Sequence, residues 1–117
     1  MKGKQALKFF EAKVREFAVE LDVEHGILVR VEQNCIYGAR ASAVRGGRNP
    51  FDHHTVNVSE KLLGADSDEA ILIAIAFHEV AHLASRGHHG ESFKAVCVEH
   101  GHHPNAEADA ALIRGSV

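Results

Sequence analysis

The chain has 117 residues, of which 45% are apolar, and a formal net charge of −3 with a pI near 6.3. This length and composition predict one domain, residues 1–117, with an ordinary hydrophobic core. The slightly acidic balance gives no electrostatic case for a direct nucleic-acid or membrane partner. Cys35 and Cys97 form neither a disulfide framework nor a C-x-x-C motif. No signal peptide or transmembrane span is visible, so we expect a cytoplasmic protein.

The first predicted element is an amphipathic helix over residues 4–22. Apolar side chains recur there at steps of three and four residues, with charged residues between them. A stripe of this length is more typical of core packing than of a dimer seam. Its members are Leu7, Phe10, Val14, Phe17 and Leu21.

Three β-rich segments follow the first helix. Gly26–Val31 and Cys35–Val44 are joined by a short polar link, which predicts a hairpin. After a loop dense in turn residues, His54–Ser59 alternates apolar and polar side chains. This alternation predicts a third strand with Val56 and Val58 on one face.

A helix without a solvated face is predicted over Ala70–Ala84, because nearly every position there is apolar. Asp66 or Ser67 is expected to cap its first turn. Gly87 is expected to end it in the left-handed conformation. Such a helix must be buried, so the histidines and glutamate inside it need partners.

Two shorter helices are predicted near the carboxyl end. One begins near Glu91, and the other covers Glu107–Arg114, with the Gly101–Asn105 segment as a break between them. The first carries an apolar stripe made of Phe93, Val96, Cys97 and His100. Together the elements predict an α+β fold with a small antiparallel or mixed sheet packed on the buried helix.

The buried helix contains the sequence His78-Glu79-Val80-Ala81-His82. Residues four apart lie on one edge of a helix, with Cβ atoms about 5–6 Å apart, so the two imidazoles can bind a single metal ion. Glu79 is turned about 100° around the helix and can still reach a water molecule on that ion. A catalytic zinc ion takes three protein ligands, so a third is required.

The H-E-x-x-H sequence resembles the zinc-binding helix of the zincin metallopeptidases. The segment His89-Gly90-Glu91-Ser92-Phe93-Lys94 resembles the H-G-x-x-F element of the SprT-like family and its YgjP-like relatives. In that branch the histidine of this element completes the metal site. The resemblance therefore implies one catalytic Zn²⁺ ion held by His78, His82 and His89.

Other third ligands stay open at this point. His88 lies at the spacing of the metzincins, although Ser85 stands where that pattern has glycine. Glu91 or Glu99 would give a site like that of the gluzincins. His88 and His89 are not expected to bind together, because neighbours in an extended segment point in opposite directions.

The resemblance covers the element order of essentially the whole chain and implies a minimal zincin-like domain. Its implied function is that of a zinc metalloendopeptidase with a protein or peptide substrate and Glu79 as general base. In zincins an edge strand before the metal helix pairs with the substrate, which indicates His54–Ser59 or its neighbour. The chain shows no zinc ribbon or basic tail of the larger family members, so we do not expect their DNA-linked proteolysis.

Supporting groups are harder to assign from sequence. An oxyanion donor is usual in this chemistry, and the candidates are His53, His100, His102 and His103. Asp52 is a candidate for orienting a ligand imidazole. Two rival functions are a metal-stabilised regulatory or interaction domain and a zinc-dependent nuclease, the latter disfavoured by Glu79 and by the absence of a basic face.

Overall fold

The computed structural model describes residues 1–24, 26–33, 41–46, 53–85 and 89–115. Within them the chain forms an α+β structure of five helices and a three-stranded sheet, which confirms the predicted fold class. The elements in chain order are α1 (Gly3–Glu20), β1 (Ile27–Glu32), β2 (Ala41–Val44), β3 (His54–Ser59), α2 (Glu60–Gly64), α3 (Glu69–Ser85), α4 (Glu91–Glu99) and α5 (Ala106–Gly115).

The sheet is mixed, and β3 is its central strand in the order β1–β3–β2. β1 runs parallel to β3, with Ile27 opposite His54, and β2 runs antiparallel to β3, with Ala41 opposite Val58. The predicted hairpin between the first two strands is therefore wrong. Alternation of apolar and polar residues identifies a strand but not its neighbour. β3 lies at the centre and is the most deeply buried of the three strands.

Val56 and Val58 lie on one face of β3, as predicted, and both are fully buried. His54 shares that face and is also buried. Its Nδ1 accepts a hydrogen bond of 2.7 Å from the amide of Gly46. Gly46 suits this approach because a Cβ atom there would lie 2.5 Å from the carbonyl oxygen of His53.

The main core lies between α1, α3 and the sheet. α1 ends at Glu20, slightly earlier than predicted, and Asp22 follows in the left-handed region with φ of 54°. The buried face of α1 places the ring of Phe17 edge-on to the ring of Phe77 of α3, with centroids 5.1 Å apart. Residues 70–85 of α3 are all buried or half-buried, which confirms a helix without a solvated face.

The start of α3 differs from the prediction. The Asp68 carboxylate, rather than that of Asp66, accepts the hydrogen bond of 3.0 Å from the Ile71 amide that caps the first turn. Ser67 instead donates its hydroxyl to the carbonyl of Leu62, at 3.0 Å. That carbonyl belongs to α2, a helix too short to be recognised from periodicity.

The two helices near the carboxyl end are confirmed at Glu91–Glu99 and Ala106–Gly115. Phe93 and Cys97 face the core. Gly101 follows α4 in the left-handed region, with φ of 76°, and so interrupts the helical conformation. The predicted cap at Gly87 lies outside the described residues. Among the helices that the structure describes, none has the length and apolar character needed to cross a membrane.

Candidate metal centre and cleft

Three imidazoles converge at the carboxyl-terminal half of α3. His78 and His82 lie one turn apart on this helix, with their Nε2 atoms 3.2 Å from each other. His89, just before α4, places its Nε2 atom 3.0 Å from that of His78 and 3.1 Å from that of His82. The three nitrogens thus form a nearly equilateral triangle.

This triangle fits a small cation better than it fits hydrogen bonding. A neutral imidazole has one N–H, and a single N–H cannot point at two neighbours, so three mutual contacts cannot all be good hydrogen bonds. Tetrahedral ligation at about 2.0–2.1 Å sets ligand nitrogens about 3.3–3.4 Å apart, only a few tenths of an ångström wider than observed. His78, His82 and His89 therefore have the spacing of a three-nitrogen metal site.

The ring of Phe93 packs against all three imidazoles. This ring is fully buried and stacks on His82, with centroids 4.4 Å apart and an angle of 23°. It meets His78 and His89 edge-on, at 4.9 and 5.1 Å. The phenylalanine of the H-G-x-x-F segment therefore contacts each candidate ligand and limits its rotation.

A hydrogen bond also ties α4 to the end of α3. The Ser92 hydroxyl donates to the Ser85 carbonyl at 3.3 Å, across the segment that carries His89. Phe93 of α4 also packs against His78 and His82 of α3. The position of His89 is therefore set by both helices.

Glu79 lies beside the triangle and is only 6% exposed. Burial raises the pKa of its carboxyl from 4.5 to about 7, because a carboxylate loses hydration in this position. A cation bound to the histidines would instead lower the pKa of Glu79, because a nearby positive charge favours the carboxylate form. Glu79 is thus a buried acid that lines the same cleft as His78 and His89.

An open cleft of about 650 Å³ lies against the three-histidine cluster. Its wall includes His78, Glu79 and His89, together with residues from β2, α3, α4 and the start of α5. The apolar part of the lining is Ala41, Ile75, Pro104 and Ala106, and the remaining polar part is Lys94, His103, Asn105 and Glu107. The candidate metal site therefore opens onto a space of the size usual for ligand-binding clefts.

No protein-family model, curated protein or solved structure matches the chain. The candidate site is therefore defined by the chain's own side chains and by the two short motifs at His78–His82 and His89–Lys94, whose histidines meet at the same point in the fold.

The remaining third-ligand candidates are placed differently. In the part of the chain that the structure describes, His78, His82 and His89 form the one group able to hold a metal ion. Glu91 and Glu99 are exposed on α4 and do not belong to it. His88, like the proposed orienting residue Asp52, lies outside the described residues.

The four candidate oxyanion donors lie in different surroundings. His103 lines the cleft, whereas exposed His53 is not part of its lining. His100 places Nδ1 3.2 Å from a carboxylate oxygen of Glu20. His102 stacks on Phe77, with ring centroids 3.7 Å apart, and serves the core.

Asp109 is the important residue that sequence reasoning missed. It is 2% exposed, and its Oδ2 lies 2.7 Å from Nδ1 of His102. Its Oδ1 accepts a hydrogen bond of 2.9 Å from the amide of His103. The signal that could have identified it was its position on α5. Asp109 lies one turn before Ile113, on the face that packs towards the core, and a buried acid there needs a hydrogen-bonding partner.

Proposed function

We propose that the chain is a zinc-dependent metallopeptidase that hydrolyses peptide bonds in proteins or peptides. The supporting observation is the convergence of three imidazole nitrogens beside buried Glu79 at the wall of an open cleft. Structural zinc sites are usually closed by four protein ligands, whereas catalytic sites use three and keep one position open. The arrangement thus favours catalysis over a purely structural role.

Zinc is the ion that we propose. Imidazole nitrogens also suit copper, nickel and iron, so the donor set alone does not select one metal. The H-E-x-x-H sequence and its similarity to the zincins, in particular the SprT-like family, favour zinc. A bound zinc ion would polarise a carbonyl group and lower the pKa of a water molecule.

The chain's own residues divide the work as follows. His78, His82 and His89 would hold the ion, and the ring of Phe93 packs against all three imidazoles. Glu79 accepts a proton from the attacking water at its carboxylate and later passes it to the nitrogen of the leaving amine. Its burial restricts the side chain, which keeps the carboxylate at the cleft wall.

The sheet supplies a place for an extended substrate. β3 is central and paired on both edges, so His54–Ser59 is not the substrate-binding strand. Its neighbour β2 has one edge without a partner among the described strands, and Ala41 of β2 lines the cleft. We therefore expect a peptide to add alongside β2 and to carry its scissile bond towards the three-histidine cluster.

Glu79→Gln tests this function most simply, because it removes the base while preserving side-chain size. Hydrolysis of an unfolded protein substrate should fall by about 100- to 10,000-fold, the usual contribution of a general base. Zinc content should stay at one ion per chain, because the three ligands are untouched. Activity assays and metal analysis of the same preparations give both quantities.

Glu60→Gln is the matched control, since Glu60 is exposed on α2 and does not line the cleft. It should retain wild-type activity. Full activity in Glu79→Gln would contradict the assigned base. A wild-type protein that binds zinc but hydrolyses no peptide would instead support a metal-stabilised interaction domain.

A further inference from the structure

The segment between α4 and α5 is fixed by hydrogen bonds at both ends. Buried Asp109 accepts from the amide of His103 and contacts the ring of His102. The Asn105 amide donates to Nδ1 of His103 at 2.9 Å, and the Asn105 side chain accepts from the Ala108 amide at 3.0 Å. The ring of His103 is therefore held in one orientation although it is exposed.

This arrangement sets the tautomer of His103. A nitrogen that accepts a hydrogen bond carries no proton, so the single proton of the neutral ring must lie on Nε2. Within the described residues, that Nε2–H has no protein acceptor. The ring lines the same cleft as His78, Glu79 and His89.

We propose that the Nε2–H of His103 donates a hydrogen bond to the scissile carbonyl oxygen of the substrate and stabilises the oxyanion that forms there. This inference rests on the proposed peptidase function and assigns its missing donor. Donors fixed before the reaction stabilise developing charge most effectively, since they need no reorganisation.

Lys94 is the competing donor, because it is exposed on α4 and also lines the cleft. A lysine side chain is long and flexible, and it must lose several rotatable degrees of freedom to hold one geometry. His103 has already been ordered by the Asn105 amide and by the Asp109 contact to its own backbone. The fixed histidine is therefore favoured over the mobile lysine.

Two substitutions separate the parts of the His103 ring. In His103→Asn, the side-chain oxygen can replace Nδ1 and keep the hydrogen bond from the Asn105 amide, but no group replaces Nε2–H. The turnover number kcat should fall by about 100-fold with little change in KM, as for loss of an oxyanion donor. In His103→Gln, the amide N–H can reach the Nε2 position and should restore part of kcat.

His53→Ala is the control, because His53 is exposed and does not line the cleft. It should keep wild-type kcat, and all variants should retain one zinc ion per chain. Unchanged kcat in His103→Asn would overturn the assignment while leaving the peptidase intact. A fall in kcat for Lys94→Ala alone would move the role to Lys94.

A second readout does not depend on activity. Long-range ¹H–¹⁵N correlation spectra of the histidine rings distinguish the two neutral tautomers, and His103→Asn identifies the His103 signals by their loss. His103 should show the Nε2–H form. The Nδ1–H form would overturn the inference whatever the activity, and absence of hydrolysis in wild type would remove both this inference and the proposed function.

Discussion

At the scale of single residues, the site is built from side chains that restrain one another. The three Nε2 atoms lie 3.0–3.2 Å apart, and the buried ring of Phe93 contacts all three imidazoles. Glu79 occupies the adjoining part of the cleft wall. Each of these side chains can be tested by its own substitution, and substitution of the candidate third ligand is the most informative.

We expect His89→Ala to weaken zinc binding by more than about 100-fold, since loss of a direct ligand exceeds the 10- to 100-fold effect of outer partners. His88→Ala is its neighbour control and should bind zinc as wild type does. Competition with a chromophoric chelator measures both affinities. Loss of zinc in His88→Ala, with binding retained in His89→Ala, would give the third position to His88.

At this scale the sequence predicts what depends on local spacing. His78, Glu79 and His82 are placed by helical geometry, and their relative positions need no knowledge of the fold. Their contacts with Phe93 depend on how α4 packs against α3. The hydrogen bonds of Asp109 and His103 depend on the conformation of the turn between α4 and α5, which helical periodicity does not describe. A motif therefore identifies the candidate ligands but not the residues that support them.

At the scale of elements, α3 is joined to α5 through Asp68 and Arg114. The guanidinium donates to both carboxylate oxygens, with Nε to Oδ2 at 2.5 Å and an Nη to Oδ1 at 2.9 Å. The same carboxylate caps the first turn of α3 by accepting from the Ile71 amide. Asp68 thus stabilises the amino end of α3, the helix that carries His78 and His82, and its contact with α5.

Asp68→Ala should lower the free energy of unfolding by about 1–2 kcal/mol, most of it from the lost cap and less from an ion pair exposed to solvent. Asp68→Asn, which keeps a capping oxygen, should cost less. Urea unfolding at neutral pH measures both values. Equal stability of wild type and Asp68→Ala would contradict the capping role.

The effect should also depend on pH. The hydrogen bonds from Arg114 and Ile71 lower the pKa of Asp68 from 3.8 to about 2. Because the folded value lies below the unfolded one, the stabilisation is fully present above pH 3.8 and disappears as the pH falls through about 2. The stability difference between wild type and Asp68→Ala should shrink across that interval.

Sequence patterns located the elements better than they located element contacts. The presence and approximate positions of α1, α3, α4 and α5 follow from helical periodicity and from breaks such as Gly101, which are local, although their exact ends do not. The pairing of β1 with β3 depends on which faces the helices cover, so the expected hairpin was wrong. The cap at Asp68 was missed because Asp66, Ser67 and Asp68 are all good capping residues.

At the scale of the whole molecule, the cleft combines parts of the chain that are far apart in sequence. Its lining runs from Ala41 of β2, through α3 and α4, to Glu107 of α5. Such a surface exists only after the sheet and helices have assembled. Neither motif alone could predict that the three-histidine cluster would face an open space, and this opening is what favours catalysis over a structural metal site.

The most direct test of the central claim is a zinc titration of the metal-free protein with hydrolysis of an unfolded protein substrate as the readout. Activity should be absent without metal, rise in proportion to added zinc, and reach a plateau at one equivalent per chain. A rate that is the same with and without zinc, or no hydrolysis at any zinc concentration, would contradict the account.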